Sequence, residues 1–185
     1  MKKNTLLLIT NYLLLITLFS CSVNKANNDE SLKKYFNTID SVGVAINIAS
    51  LIGHNTIRKQ VMGTANRNAT EEELMQMEQL AQQAMKDGAA GMSTGLIYIP
   101  GTYAPTSEIV RLAKVVSNNS GVYASHIRYE EDKVVDAINE AINIGREANI
   151  PVEISHFKVS GQNNWGRSKE TIPLIVNARK EGIDV

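Results

Sequence analysis

Apolar residues fall along this chain in two alternating rhythms. From Thr70 onward, Leu74, Met77, Leu80 and Ala84 recur at three- and four-residue spacing until Gly88, and Thr70 followed by Glu73 is a capping-box pattern. The spacing predicts a helix over 70–87. Further helices are predicted over 106–118, 131–148 and 169–180, the last stopped by Gly182. Between and before them lie short, nearly continuous apolar runs at 40–52, 91–99, 121–126 and 150–156, which suit strands buried on both faces. Ile183-Asp184-Val185 reads as the opening of another strand. Strands alternating with helices imply β-α-β units and a parallel sheet, so the expected class is α/β.

The N-terminus follows a different pattern. Lys2 and Lys3 precede an apolar stretch from Thr5 to Phe19 that runs into Ser20 and Cys21. This resembles a bacterial lipoprotein signal, which is cut before its cysteine and then acylated there. Residues 1–21 are read as that signal and 22–34, polar and Asn-rich, as a flexible tether. An uncleaved anchor helix is the other reading, but Asn11 interrupts the run and its length falls short of the roughly 20 residues a span needs. Acylated Cys21 would attach the chain to a lipid bilayer, as a membrane-anchored lipoprotein facing the periplasm or cell surface. Cys21 is the single cysteine, so no intrachain disulfide can form. The 19 basic and 19 acidic side chains are scattered and cancel, leaving no electrostatic footprint for nucleic acid; a small organic substrate is the better expectation.

Two of the three histidines, His126 and His156, end predicted strands. In a β/α barrel such positions share one mouth, where neutral imidazole can ligate zinc. Taken singly, each is as well explained by an ordinary hydrogen bond. Gly88, Gly91, Gly95 and Gly101 punctuate turns without forming a phosphate-binding motif. Asn47 to Arg58, Gly91-Met-Ser-Thr-Gly-Leu-Ile-Tyr98, the segments around His126 and His156, and Ser160 to Gly166 together resemble the N-acyl-D-amino-acid deacylases, the D-aminoacylases of the amidohydrolase superfamily. The likeness runs from about Tyr35 to Val185. It implies that residues 35–185 are a partial (β/α)8 TIM barrel, about strands 3 to 6 with their helices and the start of strand 7. A whole barrel takes about 250 residues.

The resemblance implies a Zn2+ cofactor on His126 and His156, and a substrate carboxylate held by Tyr98 and Lys158. The bland readings are a core aromatic for Tyr98 and a solvated charge for Lys158. Arg128 and Glu130 are expected to pair with each other, or to orient the ligands. His54 is expected to make a structural hydrogen bond, and Trp165 either lines the pocket or packs. The family's proton-relaying aspartate belongs to the last strand, beyond Val185, and its first-strand His-x-His or His-x-Asp and second-strand cysteine are not present. No catalytic acid or base is therefore assigned, and the chain alone is expected to have little or no deacylase activity. A non-catalytic lipoprotein that binds acyl-amino acids, or half of a split enzyme completed by another chain, are the alternatives.

Overall fold

The computed structural model describes residues 32–185, so the proposed signal, Cys21 and most of the tether lie outside the described residues. Four strands form one all-parallel sheet in the order β1 (Leu51–Gly53), β2 (Gly91–Gly95), β3 (Val122–His126) and β4 (Val152–Ile154). Six helices accompany them: α1 (Leu32–Val42), α2 (His54–Met62), α3 (Glu71–Lys86), α4 (Thr106–Ser117), α5 (Val134–Ala148) and α6 (Ser168–Lys180). The class is α/β, as the alternation of rhythms predicts.

The capping box at α3 is complete. Thr70 Oγ1 accepts from the Glu73 amide at 3.2 Å, and Glu73 Oε2 accepts from the Thr70 amide at 2.8 Å. Arg67 grips the same carboxylate with both terminal nitrogens, and these bonds hold Glu73 down to about 2. Helix α5 stops where Asn149 turns left-handed, at φ 49°, a conformation that suits Asn as well as any residue but Gly.

Helix α2 packs on α3, α3 on α4, α4 on α5 and α5 on α6, so the helices follow one another in the order of the strands. Met77 and Ala81 of α3, Ile109, Leu112 and Val116 of α4, and Ile138 and Ile144 of α5 are fully enclosed with Met92 and Tyr123 of the sheet. Each large aliphatic side chain so buried contributes about 1.5–3 kcal/mol. The strands approach closely at Gly91, where a Cβ would run into the Val122 backbone; only glycine fits. The Tyr123 hydroxyl, deep in the sheet, meets Thr94 Oγ1 at 2.9 Å, and Thr94 donates to Ser125 Oγ at 3.1 Å. Burial pushes the Tyr123 phenol up to about 12.

Three expectations need correction. The apolar run at 40–52 is not one strand: α1 extends to Val42, Gly43 turns at φ 70°, and only Leu51–Gly53 pairs with β2. Among the described residues Val42, Val44 and Ile46 are 75%, 47% and 53% exposed, because there β1 has a neighbour on one side only and the segment before it is uncovered. Residues 32–34, expected to end the tether, lie in the first turn of α1. Strand β2 is shorter than predicted because Leu96 to Ile99 leave the sheet at Gly95 and lead into a 3-10 turn over Gly101–Tyr103. At the other edge, Val152 donates its amide to the Asp184 carbonyl at 2.8 Å, so the last residues already run beside β4. Among the described residues no helix is long and apolar enough to cross a membrane.

Candidate metal centre

The register of β3 against β4 pairs Tyr123 with Val152 and Ser125 with Ile154, so His126 and His156 leave the sheet side by side. His156 Nε2 lies 2.7 Å from His126 Nδ1, with the rings edge-on at 73° and their centroids 4.4 Å apart. His156 reaches this place through a backbone φ of 39°, in the left-handed region that a side chain with a Cβ adopts reluctantly.

Glu130, four residues after His126, turns back into the same space. Its Oε1 lies 2.6 Å from Lys158 Nζ, 3.1 Å from His156 Nδ1 and 3.6 Å from His126 Nε2. Ligand atoms from His126, Glu130 and His156 all lie within 4.8 Å of one another. Among the described residues His126 Nε2 is buried without a hydrogen-bond partner, the state of an atom with a lone pair or a proton still to place. A set of two imidazoles and one carboxylate suits a borderline-soft divalent ion.

The electrostatics favour ligation. Burial pulls the His126 pKa below its ordinary value; Glu130 opposes the shift, while His156 and Lys158 add to it. Neutral imidazole, the form that binds metal, is thereby favoured. For Glu130 burial acts upward, but the hydrogen bond and charge of Lys158, with both histidines, outweigh it and leave the carboxyl below its usual range.

The loops that carry these groups are stitched together. Ser160 donates its amide to the Glu130 carbonyl at 2.6 Å. Asn164, nearly buried, donates to Asp132 Oδ1 and to the Ser160 carbonyl, both at 3.0 Å. A hollow of about 390 Å³ beside Glu130 is lined by Ile97, Tyr129, Lys133 and Ser160.

The structure thus brings His126, His156, Lys158 and Glu130 together, with the Tyr98 ring centroid 5.0 Å from that of His126. Tyr98 is 58% exposed, so it is not a core aromatic. Lys158 is 48% exposed and pairs with Glu130. Arg128 and Glu130 do not pair. Arg128 forks onto Glu140 of α5 at 2.9 and 2.8 Å and donates to the Thr102 and Ala104 carbonyls, each at 3.0 Å. The chain bends between the two residues and sends Arg128 to the helix and Glu130 to the two histidines. Trp165 is exposed and does not pack.

His54 makes a structural bond, as expected, but within a network that sequence reasoning missed. Its Nε2 lies 2.8 Å from Glu108 Oε1, and Arg58 Nη1 bonds the other oxygen of that carboxylate. All three side chains are sealed from solvent. Glu130 as a member of the candidate metal cluster was also missed; its spacing of four from His126 and the convergent His156-x-Lys158 were the available signals.

No family model matches the chain. It is similar to the D-aminoacylase of Alcaligenes xylosoxydans xylosoxydans, 44% identical over 146 residues that make up 79% of this chain and 30% of that protein. The N-acyl-D-aspartate deacylase of the same organism is 38% identical, over 80% of this chain and 30% of its own length. Among solved structures, a D-aminoacylase described as defining a novel subset of amidohydrolases superposes with a TM-score of 0.78 at 41% identity, over 81% of this chain and 32% of that one. The N-acyl-D-glutamate deacylase of Bordetella bronchiseptica, complexed with zinc and a phosphonate mimic of the tetrahedral intermediate, superposes with a TM-score of 0.81 at 35% identity, over 88% and 34% of the two chains. The chain spans about a third of the length of the relatives it matches.

Proposed function

We propose, on the premise that this chain is a homologue of the N-acyl-D-amino-acid deacylases over about four-fifths of its length, that it carries part of the site of a zinc-dependent hydrolase of N-acyl-D-amino acids. The observation that carries this reading is the contact of His126 with His156 at the ends of adjacent parallel strands, beside a buried His126 nitrogen without a partner. The sheet is wound in one direction, 1-2-3-4, with its helices in the same order, which supports reading it as an arc of a (β/α)8 barrel, strands 3 to 6.

His126 and His156 would hold the zinc. Bound there, zinc supplies Lewis acidity toward an amide carbonyl and lowers the pKa of water. Lys158 would take the substrate carboxylate in a charge-assisted bond, with the Tyr98 hydroxyl as second donor. Arg128 has a supporting role: by gripping Glu140 and two carbonyls of the 102–104 turn it holds the loop on which Tyr98 stands. The described residues around the cluster include no aspartate placed as a proton relay, and such a group commonly contributes a factor of about 100 to 10,000. The 185 residues by themselves are therefore expected to turn over substrate slowly or not at all.

Acylation at Cys21, with attachment to a membrane, belongs to the same proposal and rests on the Lys2, Lys3 and Thr5–Phe19 pattern. Absence of label from this protein in cells fed radioactive palmitate would remove it.

The test of the whole reading is a chimera. Residues 35–185 replace the matching segment of the Alcaligenes D-aminoacylase, and release of acetate from an N-acetyl-D-amino acid is measured with zinc. Activity abolished by His126→Ala or His156→Ala supports the proposal. A folded, inactive chimera overturns it.

A further inference from the structure

Asn55, the second residue of α2, stands where the two ends of the Tyr98 loop meet. Its Nδ2 donates to the Gly95 carbonyl at 3.0 Å, and a Cβ on Gly101 would run into its Oδ1. The same Gly95 carbonyl accepts the Tyr98 amide at 3.1 Å, so both of its lone pairs are taken and its direction is fixed. The Tyr98 ring closes on Gly95, where a Cβ would come within 2.9 Å of Tyr98 Cδ2, and the Tyr98 carbonyl accepts the Thr102 amide at 2.9 Å. On its other side Asn55 Oδ1 lies 3.3 Å from His54 Nδ1, and His54 is fastened through Nε2 to Glu108. An amide seated against the enclosed cluster thus holds the turn that sets where the Tyr98 ring stands, 5.0 Å from His126 between centroids.

We propose that Asn55 is a positioning residue for Tyr98: it carries the rigidity of the His54, Glu108 and Arg58 cluster to the rim of the site and fixes the direction from which the phenol reaches a bound carboxylate. This rests on the reading of Tyr98 as the second donor to a substrate carboxylate. Tyr98 is 58% exposed, so the bonds of its backbone, rather than packing of its ring, keep it in place. A donor held in place beforehand gives up little freedom when the ligand arrives. A displacement of about 1 Å at such a group can cost about 100-fold in rate. The role asks for a short side chain with both a donor and an acceptor, since Nδ2 serves Gly95 while Oδ1 faces His54. Aspartate has the same shape and no donor for Gly95.

The experiment compares the full chain as wild type, Asn55→Asp, Gly101→Ala, Tyr98→Phe and the double variant of Asn55→Asp with Tyr98→Phe. Each is labelled with fluorotyrosine, the Tyr98 resonance being the one that Tyr98→Phe removes, and each is followed by fluorine spectra, amide exchange and isothermal titration with N-acetyl-D-alanine in the presence of zinc. Asn55→Asp is expected to shift the Tyr98 resonance and to speed exchange of the Tyr98 and Thr102 amides by about 10-fold. It is also expected to weaken N-acetyl-D-alanine by about 3- to 10-fold, the worth of one hydrogen bond. Gly101→Ala, which crowds the same amide from the loop side, is expected to do likewise. The double variant should bind no more weakly than Tyr98→Phe alone, because Asn55 acts through that tyrosine. Additive losses, or an unmoved Tyr98 resonance with unchanged exchange in Asn55→Asp, overturn the proposal. A wild-type chain that takes no N-acetyl-D-alanine overturns the reading beneath it, while the fluorine and exchange measurements still decide whether Asn55 holds the loop. Far-ultraviolet circular dichroism checks folding, and should Asn55→Asp not fold, Gly101→Ala carries the same test.

Discussion

Glu108 and Glu130 each gather imidazole and a cationic side chain around one carboxylate, yet the partners of the two differ sharply in access. The side chains of His54, Arg58 and Glu108 are 0–1% exposed. Around Glu130, His156 and Lys158 are 41% and 48% exposed. Enclosure allows the first cluster a single arrangement of partners and makes it a fastening between α2 and α4. Access leaves His156 and Lys158 within reach of an incoming ligand, which is what a binding site requires. The same chemical groups are therefore sealed from solvent in one place and open to it in the other, and burial sets the difference.

Glu108→Ala should have the largest effect. It strands Arg58 in the interior without its counter-charge, and breaking such a buried pair costs about 3–5 kcal/mol. Urea unfolding measures it; a loss below about 1 kcal/mol would show the enclosed cluster to be no fastening at all. Next comes Arg128→Lys, which loses the fork onto Glu140 and the bonds to Thr102 and Ala104. A destabilisation of about 1–2 kcal/mol is expected from the lost charged hydrogen bonds. Faster amide exchange confined to 96–104 would show that the Tyr98 loop has been loosened; unchanged exchange there would deny Arg128 that role.

Acid should separate the two clusters. The folded state holds His126 below its ordinary value, so on acidification the unfolded chain takes up that proton first. Stability is therefore full above the ordinary histidine value of about 6.5 and falls as pH drops through it toward the lower folded value. At Glu108 burial acts upward, but the hydrogen bonds from His54 and Arg58 prevail and the carboxyl titrates below its usual range. Its contribution is present above the ordinary glutamate value of about 4.3 and is lost as pH falls through the lower folded value. Melting temperature followed from pH 8 to pH 3 should thus decline in two stages, the lower one shared by Glu108 with Glu130 and Glu73, and His126→Asn should remove only the upper one. Smallest of all, Glu130→Ala is expected to change stability by about 0–1 kcal/mol, because its partners His156 and Lys158 are 41% and 48% exposed and solvent can take them over. A cost like that of Glu108→Ala would erase the contrast between the clusters.

What could be read in the sequence follows the same division between local and long-range physics. The periodic face and capping box of α3, the apolar stretch of β3, and the glycine that ends α6 are local signals, and the elements stand where those signals put them. The segment before β1 misled because continuous apolarity implies neighbours on both sides, and the neighbours are not set by that segment's own residues. The pairing of His54 with Glu108 joins residues 54 positions apart and leaves no local trace. Glu130 was legible as a residue near the site, but not as the carboxylate facing both histidines, since that depends on how the loop after β3 bends.

The left-handed backbone of His156 has a consequence for how this chain would drift over time. Most L-residues cost about 1–2 kcal/mol in that conformation, and asparagine less because its short amide hydrogen-bonds locally. His156→Asn is therefore expected to raise the melting temperature by about 2–4 °C per kcal/mol regained, even as it removes a proposed ligand. A lower melting temperature would show that the imidazole's own contacts outweigh the strain. If the rise is observed, selection for persistence alone would discard this histidine, and its retention in a lineage would report that something other than folding is keeping it.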